Sequence, residues 1–218
     1  MKVELISTTM MKALSILTTF ILGLNLWSQA TTVLTDSLPN KQKAYGVRLL
    51  PSVVPQFYGL ALGLVGSDAI CNLPYTKTTN GINVQLFGTG FTALLNPTEF
   101  SYEAMFNEES GWMQNRNIMP KAVHNGLLIS GFGTLTPVSN GIMLGGLSSA
   151  GNLMNGLSIN GLQNKYTTAN GICIALVNQC YELNGIQIGL INRSTKLKGL
   201  QIGLWNINSK RKLPLVNF

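Results

Sequence analysis

Gly171-Ile172-Cys173-Ile174-Ala175-Leu176-Val177-Asn178 returns 14 residues later as Gly185-Ile186-Gln187-Ile188-Gly189-Leu190-Ile191-Asn192. It returns again after another 14 as Gly199-Leu200-Gln201-Ile202-Gly203-Leu204-Trp205-Asn206. Working outward from these three units, the period extends back through Gly156, Gly141 and Gly126, with spacings of 15, 15, 15, 14 and 14 along the six glycines. Five of the six follow an asparagine, the exception being Gly199 behind Lys198. Weaker copies begin at Gly59 and Gly81. A short fixed period of this kind is the mark of a repeat architecture, and it decides the fold before any single strand is considered.

The second, fourth and sixth positions of a unit are apolar, the period-2 pattern of a strand with one covered face. The expectation is that Ile186, Ile188 and Leu190 point inward and Gln187 and Gly189 outward. The Asn-Gly pair is expected to supply the positive φ of a tight turn. Asn178, Asn192 and Asn206 are expected to bond the backbone at the bend or to stack on one another. In the earlier units Ser148 and Gly133 stand where that asparagine falls. A second apolar position late in the unit, at Leu183, Leu197 and Leu213, predicts a shorter strand returning to the same core.

Two all-β architectures accommodate the period. In a β-solenoid each unit is one coil of 14 to 15 residues, and equivalent positions stack about 4.8 Å apart. In an antiparallel β-barrel each unit is one strand and one turn. The recurrence of one Asn-Gly corner favours the solenoid, because successive barrel turns lie at opposite ends and have no reason to match. Pro97 to His124 interrupts the period, and Thr98 to Phe106 within it predicts a short amphipathic helix in an otherwise irregular insert. Residues 207–218, with Lys210-Arg211-Lys212 ahead of Leu213-Pro214-Leu215, read as a C-terminal cap, since charge and proline both oppose the addition of another strand.

At the other end of the 218 residues, an apolar run from Ala13 to Leu24 behind Lys12 closes on Ser28-Gln29-Ala30. This reads as a signal peptide of residues 1–30, with residues 31–218 forming a single β-repeat domain. Export to the periplasm, outer membrane or cell surface is the expectation. Loss of Lys2, Lys12 and Glu4 takes the net charge from +7 to +6. Basic residues gather in the last 26 positions, and Glu99, Glu103, Glu108 and Glu109 gather in the insert. Three cysteines, Cys71, Cys173 and Cys180, allow at most one internal disulfide, for which Cys173 and Cys180 are the natural pair.

Catalytic patterns are weak. The single histidine, His124, excludes a multi-histidine metal cluster, and neither His-Glu-x-x-His nor paired Cys-x-x-Cys is present. Ser148 or Ser149 could be combined with His124 and Asp36 or Asp68, but the serines lie inside a repeat unit, away from any strand-to-helix elbow. Gly88-Thr89-Gly90 imitates a dinucleotide fingerprint without the βαβ context that gives it meaning. Glu99, Glu103, Glu108 and Glu109 share one insert, whereas a groove glycosidase draws its acids from adjacent coils. No aromatic platform accompanies the basic residues, so nucleic acid is not an expected partner. No catalytic, metal or cofactor residue is therefore assigned, and the repeat glycines and asparagines are the residues of interest.

The runs Tyr181 to Asn192, Lys196 to Asn206 and Lys210 to Asn217 resemble the surface-repeat proteins of certain Gram-negative bacteria, whose units read Gly-[Ile/Leu]-Gln-Ile-Gly-Leu-x-Asn. The likeness covers about residues 125–218 and implies a secreted or envelope-located repeat protein with no enzymatic activity or ligand site to carry across. The pattern often ends in Trp where this chain has Phe218. The expected function is that of a non-enzymatic structural or interaction protein of the cell envelope, its partner an envelope protein or glycan. An integral outer-membrane β-barrel is the first alternative and an envelope carbohydrate-active enzyme the second.

Overall fold

A computed structural model describes residues 42–66, 75–89 and 122–218. The signal-peptide stretch, Cys71 and residues 97–121 of the insert lie outside the described residues. What is described is entirely strand and connection. The order is β1 (Lys43–Leu50), β2 (Gln56–Gly63), β3 (Lys77–Gln85), β4 (Ala122–Ser130), β5 (Val138–Gly145), β6 (Ser148–Asn160), β7 (Gln163–Ile174), β8 (Val177–Ile188), β9 (Ile191–Ile207) and β10 (Lys212–Asn217). Ala122, Val123 and His124, expected in the insert, are the opening residues of β4.

The ten strands form one sheet in strict sequence order, and β1 to β9 are all parallel. The protein is a β-solenoid. The barrel alternative is overturned, since a barrel of one strand per unit requires antiparallel neighbours and closure of the first strand on the last. Register is set by the repeat glycines. Gly46, Gly59, Gly81, Gly126, Gly141, Gly156, Gly171, Gly185 and Gly199 pair in succession from β1 to β9. The weak copies at Gly59 and Gly81 thus belong to the same column, which reaches one coil further to Gly46.

The glycine column is a close approach of backbones rather than a set of tight turns. Gly185 sits inside β8 with φ of +148°, and a Cβ there would lie 2.0 Å from the carbonyl oxygen of Gly171 in the coil below. An L side chain is excluded both by the backbone angle and by the contact. The chain bends elsewhere, at Gly146-Leu147, Gly161-Leu162, Ala175-Leu176 and Gly189-Leu190. The extra residue of a 15-residue coil stands between the long leg and the bend, at Gly145 and Asn160, which pair with one another and have no counterpart after Ile174. The register pairs Ser149 with Asn164 and Asn164 with Asn178, so the extra residue of the longer units precedes the asparagine column. Ser149, not Ser148, is therefore the counterpart of the asparagines.

Each C-terminal coil has a short leg and a long leg facing one another. In β8 the first four residues, Val177 to Cys180, bury Asn178 and Cys180, and the stretch from Glu182 to Ile188 buries Leu183 and Gln187. The returning short strand expected near Leu183 lies instead at Val177–Cys180, and Leu183 belongs to the long leg. Volume is balanced within each coil. Tyr166 is matched by Ala169 and Cys173, whereas one coil later Cys180 leaves room for Leu183 and Gln187, all of them buried.

The direction of the side chains corrects the expectation outright. Gln187 and Gln201 are 1% and 0% exposed, while Ile188 and Ile202, expected in the core, are 38% and 39% exposed. Alternation marks two faces of a strand but carries no label for which is covered, and a slip of one residue exchanges them. The interior of this coil is a slot between two legs only a few side chains wide. It is filled by amides that bond one another and by a few apolar side chains such as Leu183, and the isoleucines after the repeat glycines stand outside.

At the C-terminus the parallel stack ends. Asn208 Oδ1 accepts bonds from the backbone N–H groups of Lys210 (2.9 Å) and Arg211 (2.8 Å), which turns the chain. β10 then runs antiparallel along β9, with a register shift between Leu213 and Leu215 where Pro214 provides no donor. Asn217 enters the interior and donates to Gln201 Oε1 at 3.0 Å, occupying the place of the next coil's glutamine.

Candidate interaction face

The positions one before, one after and three after each repeat glycine project from the same side of the long leg. One position before the glycine stands an asparagine in β3 to β8. The amides of Asn125, Asn140, Asn155, Asn170 and Asn184 each donate Nδ2 to the Oδ1 of the preceding one, starting on Asn80, over 2.6 to 2.7 Å. Tyr45 and Tyr58 continue the column at the N-terminal end as a stacked pair with ring centroids 5.2 Å apart. At the other end the column closes on Lys198, whose Nζ meets Glu182 Oε1 at 2.8 Å. That ion pair holds the Glu182 carboxyl below its ordinary range, chiefly through the Lys198 hydrogen bond.

Beside the amide ladder run two columns that are aliphatic in every strand from β1 to β9, from Val47 and Leu49 to Leu200 and Ile202. Ile82 and Ile142 are 45% exposed in the middle of the sheet. Nine strands about 4.8 Å apart and four residues of about 3.3 Å rise give a face of roughly 38 by 13 Å, or about 500 Å². That is at the upper end of the largest apolar patch an ordinary monomer exposes, about 300–600 Å². β10 prolongs it, since Val216 pairs with Ile202, and Phe218 lies exposed beneath the Arg211 guanidinium, 4.5 Å from the ring centroid.

The repeat residues singled out from sequence divide between two sites. Gly126, Gly141, Gly156, Gly171, Gly185 and Gly199 form the backbone seam under this face. Asn178, Asn192 and Asn206 are fully buried on the short leg. Asn164 Nδ2 donates to Asn178 Oδ1, Asn178 to Asn192 and Asn192 to Asn206, over 2.8 to 2.9 Å. Asn178 also donates to the carbonyls of Ala175 (3.3 Å) and Ile188 (2.9 Å), which ties the bend to the next coil. Both expected roles, bonding the bend and stacking, are fulfilled by one amide. Gln187, expected to point outward, belongs to the interior, as does Gln201. The aliphatic columns were in view in the sequence, but alternation had assigned them to the core.

The remaining chemistry-bearing groups are dispersed. Ser149 Oγ donates to Asn160 Oδ1 at 2.7 Å and is buried, and Asp36 and Asp68 fall outside the described residues. His124 is buried beside a cavity of about 10 Å³ lined by Lys77, Thr79, Asn83, Leu128 and Thr136, the room of one water. Burial pushes its pKa down to about 4, against a smaller opposing effect of the Leu127 backbone. Burial likewise takes the Lys165 ammonium down to about 7 and the Cys173 thiol up to about 12. Cys173 and Cys180 are both free and buried, so the expected disulfide does not form; Gln187 Nε2 donates to Cys180 Sγ at 3.2 Å instead. Thr89 Oγ1 accepts from the Leu135 N–H at 2.8 Å, which packs the Gly88-Thr89 bend on the next coil. Among the described residues no three His, Cys, Asp or Glu side chains gather into a metal-binding group.

No family model, curated protein or solved structure matches the chain.

Proposed function

We propose that the protein is a non-enzymatic structural and interaction protein of the bacterial cell envelope, which works by displaying a rigid repeat surface. The observation that carries this reading is the unbroken pair of aliphatic columns beside the Asn80–Asn184 amide ladder, held in register from β1 to β9. A surface of this kind is expensive to maintain in water unless something covers it. Rigidity comes from beneath: each coil is fixed to the next by backbone pairing, and from Asn164 onward also by interior amide bonds of about 1 kcal/mol apiece. The face itself presents aliphatic carbon and amides already engaged with one another, which suits docking rather than bond-making. The signal-like N-terminus and the resemblance to bacterial surface-repeat proteins support an envelope location.

The test is to express the full chain with a C-terminal epitope in a Gram-negative host and to fractionate the cells. Recovery of a processed chain in the envelope fraction, beginning near Thr31, is the expected result. An unprocessed chain confined to the cytoplasm would overturn the envelope assignment.

A further inference from the structure

The same face carries information about what covers it. From Tyr58 in β2 to Ile188 in β8, the three outward columns contain no charged residue, and between Asn125 and Asn192 the whole chain has only Lys165 and Glu182. Lys165 is buried and Glu182 is held by Lys198. Charge returns at the two ends of the stack and is basic at both. Lys43 stands exposed on β1, and Lys198, Arg211 and Lys212 stand exposed on β9 and the β10 hairpin. Aromatic rings accompany the basic ends, Tyr45 and Tyr58 at one and Phe218 under Arg211 at the other.

We infer that this face lies on an anionic lipid bilayer, with the aliphatic columns at the boundary of headgroups and acyl chains and the basic ends on the headgroups. The inference deepens the display reading above by naming the chemistry of the surface it meets. A broad apolar stripe, basic residues at its margins and aromatic rings at its ends are the features by which proteins lie in a membrane interface. Anionic headgroups supply a counter-charge at Lys43, Arg211 and Lys212, whereas Lys198 already has Glu182. The asparagine ladder lowers its own cost of burial, because its amides bond along the column before lipid arrives.

A second copy of the chain is the competing occupant, and charge argues against it. Two such faces packed head to tail would set Lys43 of one against Arg211 and Lys212 of the other, and packed head to head would set each basic end against itself. Both arrangements juxtapose like charges at the ends of the stack, and among the described residues the acid beside the columns, Glu182, is already engaged by Lys198.

The experiment is flotation of the intact chain with unilamellar vesicles of phosphatidylcholine alone and of phosphatidylcholine with 30% phosphatidylglycerol. The Ile142→Asp, Ile172→Asp double variant changes two outward side chains, and its folding is verified by circular dichroism and thermal melting. The expected result is flotation with the anionic vesicles at an affinity at least 10-fold above that for the neutral ones, and a further loss of 10-fold or more in the double variant with an unchanged melt. A folded parent that floats with neither composition overturns the inference, as does a double variant that floats as well as the parent. A parent that is dimeric by light scattering, becomes monomeric in the double variant and ignores both vesicles would assign the face to a second copy. A cytoplasmic chain that still binds anionic vesicles through this face would remove the envelope reading and leave the lipid inference standing.

Discussion

Gln201 Nε2 donates to Gln187 Oε1 across 2.9 Å, inside a coil whose exterior is isoleucine. Asn217 donates into the same line from the cap, and Gln187 passes it on to Cys180 Sγ, so the amides run as a chain along the interior. Gln187→Asp places a carboxylate where an amide donor served, and stability is expected to fall by about 3 kcal/mol or more. Ile188→Asp, one residue away and outward, is expected to cost less than about 1 kcal/mol. Thermal melts of the two variants followed by circular dichroism decide which side of the strand is the interior.

The short-leg asparagines make a sharper demand on chemistry. Asn178 Nδ2 has three acceptors within reach of its two hydrogens, Asn192 Oδ1 and the carbonyls of Ile188 and, at the longest distance, Ala175, and it is fully buried. Asn178→Asp keeps the shape and removes the donor. A loss of about 3 kcal/mol is expected from urea unfolding, with Asn178→Ser intermediate because its hydroxyl restores one bond.

Two glycines of the same column separate backbone strain from contact. Gly46 has φ of +103° and open space where a Cβ would stand, whereas the Gly185 Cβ would strike the Gly171 carbonyl. Gly46→Ala is expected to cost about 1 kcal/mol from the left-handed backbone alone. Gly185→Ala adds a backbone clash and is expected to cost several times as much. Equal melting temperatures for the two variants would show that neighbouring coils separate freely at the seam.

His124 couples stability to pH. Its folded pKa of about 4 lies below the ordinary 6.5, so its neutral form is favoured by folding. That contribution is complete above pH 6.5 and is lost as pH falls through 6.5 toward 4. The full loss is about 3 kcal/mol at about 1.4 kcal/mol per pH unit. His124→Gln is expected to flatten the dependence of melting temperature on pH across this window.

Neither interior thiol is expected to react in the native protein. The Cys173 thiol is pushed up to about 12 by burial, and Cys180 is raised for the same reason first. Treatment with iodoacetamide at pH 8 followed by peptide mapping is expected to leave residues 173 and 180 unmodified until denaturant is added. Rapid labelling of either in the native state would show that the coil opens near β8.

The period itself was legible in the sequence, and with it the solenoid. The Gly171, Gly185 and Gly199 units fix equivalent positions one coil apart, and one pattern returning at every unit suits a parallel stack, although the Asn-Gly pair read as a corner lies inside the strand. The asparagines at 178, 192 and 206 were legible as well, because an amide recurring at one place in a coil has its own copies as neighbours. Gln187 and Ile188 were not. Both faces of the strand repeat with the same period, and local sequence does not state which face another leg of the chain will cover.

The sequence by itself thus determined the repeat length, the glycine register and the asparagine column at 178, 192 and 206, and favoured a parallel stack over a barrel, since these follow from covalent spacing and from the backbone freedom of glycine. Only the tertiary structure decided that the amides lie inside and the aliphatics outside, and that Cys173 and Cys180 stay apart as thiols. Those outcomes depend on how closely two legs of one coil approach and on what volume remains between them. Side chains far apart along the chain settle that together, so the interaction face appears only once the coil is closed.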